Sequence, residues 1–360
     1  MTSGVERAEA IDVPDYHAAV EMFFERGWTD GLAIVPPTEA KVEEMVRYSG
    51  RDALETLGAV PPFGGLATIE KLAVNAVMAG CKPEYFPVVI AAVDAMLDPS
   101  FNLNGVQTTT HGGEPLLIVN GPVIKQLGFM YGDGVFGSGS RANGTVGRAV
   151  QLILWNLGQN PPGEVDKACM DHPGNWSFCI AEDEDGSPWE PLHVERGLPR
   201  EVSAVTVFHC EAPHSIGGAP VPDGLEELLR PIAATMGALG NNNVRHFGET
   251  LLVLNPLQAA LFYREGWSKR DVKQAVWARA RNKAKQFSRS AFSKGIEEQV
   301  RKHAPWINFD DPEQDVPITL SPDDIHIVVA GGRSYFAACC PGWGYYGGNA
   351  ITREVRIPKS

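Results

Sequence analysis

The chain has 360 residues, of which 44% are hydrophobic and 21% charged, and this composition excludes a globally disordered or fibrous protein. Its 31 Lys and Arg against 44 Asp and Glu give a formal net charge of −13, which disfavours binding to nucleic acid or to an anionic membrane. The longest apolar stretch, near residues 72–97, is interrupted by polar residues and is too short for a membrane span. The acidic N-terminal segment does not resemble a secretory signal, and the six cysteines have no framework spacing, so we expect a cytoplasmic protein with reduced thiols.

The first part of the chain alternates helical and strand patterns. Apolar residues recur at spacings of three and four in several segments, whereas short apolar runs stopped by Pro or Gly predict strands. The predicted helices are 14–27, 38–48, 68–80, 83–97 and 145–158, and the predicted strands are 32–35 and 116–119.

The second part repeats this alternation after an irregular stretch. Strands are predicted at 203–210, 250–254, 325–330, 335–339 and near 355, and helices at 223–238 and from 256 to about 300. We therefore predict an α/β fold of two α/β units, each a mixed sheet flanked by helices, with a cleft between them and a β-rich C-terminal part. The first unit is 1–160 and contains a Gly-rich loop at 131–148, the segment 161–200 is an irregular linker, and the second unit is 201–360.

Two buried strands end in the same way. Leu116–Val119 is followed by Asn120, Gly121 and Pro122, and Leu251–Leu254 is followed by Asn255 and Pro256. Ligands of α/β sheets bind beyond the carboxyl ends of the strands, so Asn120 and Asn255 are candidate substrate-binding residues. The alternative is ordinary Asn-Pro turn chemistry.

The end of the Gly-rich loop is a candidate anion site. A predicted helix begins near Thr145, and its N–H groups carry a partial positive charge. Arg141 and Arg148 flank this start, and Asn143 lies between them. Two guanidinium groups there predict a carboxylate or phosphate ligand, unless they pair with carboxylates of the protein.

The segment 102–114 is the richest polar stretch, although it lies between an apolar helix and an apolar strand. Polar groups so close to a core need partners. His111 is a candidate general acid or base, and Asn104, Gln107 and Thr109 are candidate substrate-binding residues. The alternative is a loop whose hydrogen bonds are only structural.

Three cysteines are candidate nucleophiles. Cys81 is predicted between two helices, where a helix N-terminus would lower its pKa. Cys339 and Cys340 follow a strand, whose geometry directs the two thiols to opposite faces. The alternative for each of these cysteines is a buried core residue without a catalytic role.

No cofactor is predicted, and a transition metal is the open alternative. His172, His193 and His209 are the candidate ligands. None of them is accompanied by a second set of ligands at the sequence spacing typical of a zinc site.

A basic segment at 268–302 contrasts with the acidic chain. Apolar residues from Val272 to Ala291 predict one helical stripe, with Arg281, Lys285 and Arg289 on another face. An acidic surface on a second copy or another subunit would neutralise this charge, which predicts an oligomer. The alternative is a solvated helix face.

Five segments carry a family resemblance: VNAVMAGCKPEYFPVVIAAVDAML (74–97), NGVQTTTHGGEPLLIVNGP (104–122), GRAVQLILWNLG (147–158), FCIAEDEDGSPWEPLHVERG (178–197) and IHIVVAGGRSYFAACCPGWG (325–344). They resemble segments of an uncharacterised bacterial family. Its members are encoded beside, or fused to, a small protein with a UGSC or CGSC motif, which is similar to the thiol or selenol subunit of glycine-reductase-type enzymes. The resemblance implies a two-component enzyme that acts at a carbon–heteroatom bond, and it assigns no catalytic residue.

Three functional hypotheses follow. The first is an enzyme or enzyme subunit that cleaves a carbon–heteroatom bond of a small anionic metabolite, as a lyase or reductively, with a thiol and His111. It would be a homo-oligomer or a heteromer with the cysteine- or selenocysteine-motif subunit. The second is a metal-dependent hydrolase or hydratase, and the third is a non-catalytic scaffold for a catalytic partner.

Overall fold

The structure is a computed structural model and describes residues 7–218, 224–287, 291–344 and 348–358. Within these ranges helices and strands are interspersed along the chain, which confirms the predicted α/β class. The helices are α1 (Tyr16–Glu25), α2 (Glu39–Ser49), α3 (Ile69–Ala79), α4 (Phe86–Met96), α5 (Leu103–Thr108), α6 (Val123–Leu127), α7 (Arg141–Gly158), α8 (Leu192–Glu195), α9 (Leu225–Met236), α10 (Asn242–His246), α11 (Pro256–Arg264), α12 (Lys269–Arg279) and α13 (Ala291–His303). The strands are β1 (Thr56–Val60), β2 (Gly65–Thr68), β3 (Glu114–Asn120), β4 (Cys179–Ala181), β5 (Ala204–Cys210), β6 (His214–Ile216), β7 (Thr250–Leu254), β8 (Arg281–Lys283), β9 (Asp315–Pro317), β10 (Ile325–Val329), β11 (Ala337–Pro341) and β12 (Ile351–Glu354).

The described strands form two four-stranded mixed sheets and two small antiparallel pairs, β1 with β2 and β8 with β9. The first sheet has the order β12-β5-β3-β4, in which β3 and β4 are parallel and the other pairs are antiparallel. The second sheet has the order β10-β7-β11-β6, in which β10 and β7 are parallel. Strands β5 and β12, which belong to the predicted second unit, pair in the first sheet.

The alternation of side chains along each strand builds four layers. In β3, Leu117 and Val119 pack with the helical core of α3, α4 and α7, whereas Leu116 and Ile118 pack with residues of the second sheet. Successive side chains of a strand point to opposite faces, so the first sheet has helices on one face and the second sheet on the other.

The second sheet has the same arrangement in reverse. Leu252 of β7 belongs to the core shared with α9 and α12, and Leu251 belongs to the core between the sheets. Cys339 and Cys340 separate in the same way, as their adjacent positions predict. The described core is therefore layered as helices, sheet, sheet and helices.

Both predicted junctions of strand, Asn and Pro are confirmed. Strand β3 ends at Asn120, and α6 begins directly after Pro122. Asn255 follows β7 and caps α11, since its Oδ1 accepts hydrogen bonds from the backbone N–H groups of Leu257 (2.8 Å) and Gln258 (3.0 Å). A proline at the first helical position loses nothing by lacking an N–H, because that group would have no partner within the helix.

Two predicted helices have different bounds. Helix α7 begins four residues before the predicted residue 145, because Ser140 Oγ accepts a hydrogen bond from the Asn143 backbone and caps the helix there. The basic segment 268–302 is not one helix, since α12 ends at Arg279 and β8 follows. The predicted strand at 32–35 has no strand pairing.

Within the described part of the chain, no single helix is long and apolar enough to cross a membrane, although the bent pair Pro83–Met96 and Pro99–Thr108 satisfies the length and composition criteria jointly.

Candidate active site

Antiparallel pairing brings two distant polar residues together at one end of the first sheet. Glu114, the first residue of β3, pairs in register with Cys210, the last residue of β5. His111 precedes β3 and Glu211 follows β5, so the register brings them to the same end. His111 Nε2 donates a hydrogen bond to Glu211 Oε1 at 2.9 Å. Glu211 Oε1 also accepts from the backbone N–H of Asn242 (3.0 Å), which fixes the carboxylate.

The buried carboxyl group of Glu114 and the half-buried one of Asp171 form a pair next to this histidine. Asn175 Nδ2 donates to Glu114 Oε1 (3.2 Å) and to Asp171 Oδ2 (2.7 Å), so a single amide connects the two carboxyl groups. Gln151 Nε2 donates to the other oxygen of Glu114 at 2.9 Å. Burial raises the pKa of Glu114 well above its usual range, and the Asp171 carboxyl raises it further by charge and by a hydrogen bond. The shift favours the protonated form of Glu114.

The loop that carries Asp171 is held against the end of β3. The backbone N–H of Cys169 donates to the carbonyl of Thr110 at 3.1 Å. A Cβ at Gly112 would lie 2.8 Å from the backbone nitrogen of Asp171, so only glycine permits this approach. The predicted irregular linker 161–200 thus supplies a wall of the site.

His111, Glu114, Gln151 and Asn175 line a small solvent-open pocket. It lies between α5, α7, the start of β3 and the loop before β4, so its walls come from the predicted first unit and from the predicted linker 161–200. Amide and carboxyl groups lie beside apolar side chains in its lining, which is formed by Val106, Gln107, His111, Gly113, Glu114, Pro115, Gln151, Leu154, Trp155, Asn160, Asp166, Ala168 and Asn175.

Two further histidines, His209 and His172, lie at the same end of the sheet as His111. The ring of His209 contacts that of His111 edge to face, with centroids 5.9 Å apart. Burial, with a contribution from His111, lowers the pKa of His209 to about 3, and its Nε2 donates to the carbonyl of Gly113 at 2.7 Å. His172 Nε2 donates to the carbonyl of Cys210 at 3.3 Å, and burial lowers the pKa of His172. Both rings are neutral and hold the backbone next to His111, His209 at Gly113 and His172 at Cys210.

The structure places Asn120 and Asn255 away from this pocket. Strand β3 has seven residues, so Asn120 lies roughly 20 Å from the His111 end at about 3.3 Å per residue. Asn120 Nδ2 donates to buried Glu182 at 2.7 Å and to Glu184 at 3.1 Å. Asn255 caps a helix of the other unit. Neither residue lines the pocket that contains His111.

The two arginines of the predicted anion site have different partners. Arg148 follows the alternative of a protein carboxylate, since it donates twice to Asp30, from Nε at 2.8 Å and from Nη2 at 2.7 Å. Arg141 donates to the carbonyl of Gly80 from Nε (3.2 Å) and Nη2 (3.0 Å). Neither arginine lines the pocket that contains His111.

Of the remaining predicted binding residues, some lie at the pocket and others do not. Gln107 lines the pocket, as predicted. Thr109 is a support, because its Oγ1 accepts from the backbone N–H of His111 at 3.2 Å. Asn104 is exposed in α5, and Asn143 is buried, with Nδ2 donating to the carbonyls of Met130 and Cys179. Asn104 and Asn143 do not contact the pocket.

The candidate nucleophilic cysteines are buried. Burial raises the pKa of Cys81 to about 12, despite a hydrogen bond from its thiol to the carbonyl of Thr145 and the charge of Arg141. It raises the pKa of Cys339 to about 12 as well, and Cys340 is fully buried between the sheets. A thiolate is the nucleophilic form, so these positions are unsuited to that role. The exposed cysteine is Cys169, which sequence reasoning did not select.

The three candidate metal ligands do not lie close to one another. His193 is buried on α8 near Glu184, with its Nδ1 3.8 Å from Glu184 Oε1, at the same end as Asn120. His172 and His209 lie at the opposite end of the sheet. Among the described residues, no group of three His, Cys, Asp or Glu side chains has a metal-binding arrangement.

The basic segment pairs with acidic residues of the same chain. Arg279 binds Glu226 (2.8 Å), Lys283 binds Asp315 (2.8 Å) and Lys285 binds Glu313 (2.5 Å). Arg281 lies over the ring of Trp277, 4.4 Å from its centroid. Arg289 lies outside the described residues. Carboxylates of the same chain thus pair with part of this charge, and the oligomer stays a prediction.

Sequence reasoning missed most of the acidic half of the site. Gln151 could have been found as a polar residue in the apolar run of α7, and Glu114 as an acid directly before an apolar strand. Asp166 and Glu211 carry no such signal, and Glu211 meets a partner that is 100 residues away in the sequence.

Comparison with models of known protein families finds no match, and comparison with curated proteins finds no similar sequence.

Proposed function

We propose that this chain is an enzyme that cleaves a carbon–heteroatom bond by acid–base catalysis, in the manner of a lyase. The observation that carries the proposal is the meeting of two titratable pairs at one pocket, His111 with Glu211 and Glu114 with Asp171. Pairs of groups held in different protonation states are the usual basis of combined acid and base catalysis.

His111 is the base in this proposal. A carboxylate only accepts hydrogen bonds, so the neutral ring carries its proton on Nε2, towards Glu211. Its Nδ1 then has a free lone pair, since no described residue donates a hydrogen bond to that atom. The atom is buried, so the proposal requires the ring or the substrate to move into contact before the proton is taken. Glu211 positions the ring and stabilises the imidazolium that forms when Nδ1 takes a proton.

Glu114 is the acid. A carboxyl group that remains protonated near neutral pH can donate its proton to a leaving group. Burial and the neighbouring Asp171 carboxyl keep Glu114 in this form, and Gln151 and Asn175 hold its oxygens in place.

The step balances without an external reductant. His111 Nδ1 takes a proton from one carbon, the electrons of that C–H bond form a double bond to the next carbon, and the carbon–heteroatom bond breaks. The leaving heteroatom keeps the bonding pair and takes the proton of Glu114. Reductive cleavage would need two electrons from another subunit, and the elimination is therefore the simpler reaction for this chain.

A thiol, if the reaction used one, would come from a second subunit. The candidate thiols of this chain are buried with raised pKa values or lie inside the sheet packing. This agrees with the two-component enzyme that the family resemblance implies, and the partner subunit stays part of the proposal.

The proposal is tested by proton exchange in D₂O. The full chain is incubated with a panel of small hydroxy and amino compounds, and ¹H NMR follows loss of a carbon-bound proton and formation of an alkene. We expect His111→Asn to abolish both signals. Glu114→Gln is expected to retain exchange and to lose cleavage, because it removes only the acid.

The matched control is His214→Asn, which changes an exposed histidine of β6 in the other sheet. Equal activity in the His111 and His214 variants would refute the assigned base. Unchanged cleavage in Glu114→Gln would refute the assigned acid.

A further inference from the structure

We infer that the pocket binds a small protonated amine, and that its carboxyl groups are the recognition elements for this cation. The inference rests on the proposed function only in taking this pocket as the substrate site, and it names the charge class of the substrate. It replaces the anionic ligand that the sequence led us to expect.

Acidic groups concentrate at the pocket without basic compensation. Glu114 and Asp166 line it, and Asp171 contacts Glu114 through Asn175. Among the described lining residues there is no Lys or Arg. Three carboxyl groups, those of Glu114, Asp166 and Asp171, therefore lie at or beside the pocket. An ammonium group entering this pocket gains favourable charge interactions, and a carboxylate would be repelled.

A buried acceptor points to the same ligand class. Gln107 is 4% exposed and lines the pocket, and its Oε1 accepts no hydrogen bond from any described residue. Its amide nitrogen donates to the carbonyl of Pro61, which fixes the orientation of the amide. The Oδ1 atom of Asn160, another lining residue, has no described donor either. Buried acceptors lose free energy unless a donor reaches them, and an ammonium group supplies three donors and no acceptor.

Two cations close to the pocket do not pair with its acids. Lys167 lies in the adjoining loop, and its Nζ donates to the carbonyl of Gly163 at 2.5 Å. Arg148, on the helix that forms one wall, pairs with Asp30. Neither side chain therefore forms an ion pair with Glu114, Asp166 or Asp171.

Three ligands of similar size separate the possibilities by charge alone. Isothermal titration calorimetry of the full chain with ethanolammonium, ethylene glycol and glycolate measures binding without turnover. We expect ethanolammonium to bind at least tenfold more tightly than either of the others, which corresponds to about 1.4 kcal/mol.

Asp166→Asn is the main variant, because asparagine retains the oxygen that accepts from the Ala168 backbone at 2.8 Å. We expect it to weaken ethanolammonium binding at least fivefold. Glu354→Gln, an exposed change on β12, is the matched control and is expected to have no effect.

Glycolate that binds as tightly as ethanolammonium, no ethanolammonium binding, or full affinity in Asp166→Asn would each overturn the inference. Failure of the inference and failure of the proposed function are distinguishable. Cation binding without exchange in D₂O would refute the acid–base reaction alone, and exchange confined to anionic compounds would refute the cation alone.

Discussion

Arg148→Ala is expected to destabilise the fold and to leave ligand binding intact. The guanidinium group makes two charged hydrogen bonds to Asp30 and two more to the carbonyls of Leu32 (3.3 Å) and Ala33 (3.1 Å). The two side chains of the ion pair are only 16% and 6% exposed. The substitution thus leaves the Asp30 carboxylate buried without its cation.

The magnitude follows from this burial. Breaking a buried ion pair costs ~3–5 kcal/mol, and losing a hydrogen bond to a charged group costs ~1.5–3 kcal/mol. Since Arg148 keeps some exposure, we expect a loss of about 3 kcal/mol in the free energy of unfolding. Urea denaturation with linear extrapolation measures it.

The control is Arg230→Ala, which removes an exposed pair with Glu227 on α9. We expect that change to cost no more than about 0.5 kcal/mol. If Arg148→Ala lowered the free energy of unfolding by less than about 1 kcal/mol, the ion pair with Asp30 would not be a major source of stability. Weakened ligand binding at unchanged stability would restore the anion site.

Two other predictions concern thiols and carboxyls. Iodoacetamide is expected to label Cys169 first in the native protein, with Cys81, Cys339 and the other buried cysteines reacting only after unfolding, and peptide mapping by mass spectrometry checks the order. Fast labelling of Cys81 would contradict the burial argument. The raised pKa of Glu114 means that the folded chain binds more protons than the unfolded chain above the ordinary glutamate value of about 4.3, so stability falls as pH rises towards the folded-state pKa. Glu114→Gln is expected to flatten that fall in urea titrations across pH, and an unchanged slope would refute it.

The local elements were predictable because their signals are local. Alternating apolar runs predicted β3 and β5, and the junctions at Asn120 and Asn255 predicted the helices that follow. The break of the basic segment after Arg279 was not predictable from periodicity, since apolar residues continue at helical spacing while the chain leaves the helix to pair β8 with β9.

Only the part of the site that lies in the segment 102–114 was predictable from the sequence. The polar segment 102–114 marked His111 and Gln107, because polar groups next to a core require partners. Glu211 is 100 residues from His111 and meets it only through the register of β3 and β5. Arg148 was misassigned for the same reason, as its partner Asp30 lies 118 residues away.

The central claim is that Glu114 holds a proton at the pocket. The direct test is ¹³C NMR of side-chain carboxyl groups in glutamate-labelled protein, titrated with pH, with Glu114→Gln assigning the resonance. The account predicts that the Glu114 carbon keeps the shift of a protonated carboxyl at pH values where an ordinary glutamate has lost its proton. A Glu114 resonance that titrates with the exposed glutamates would contradict it.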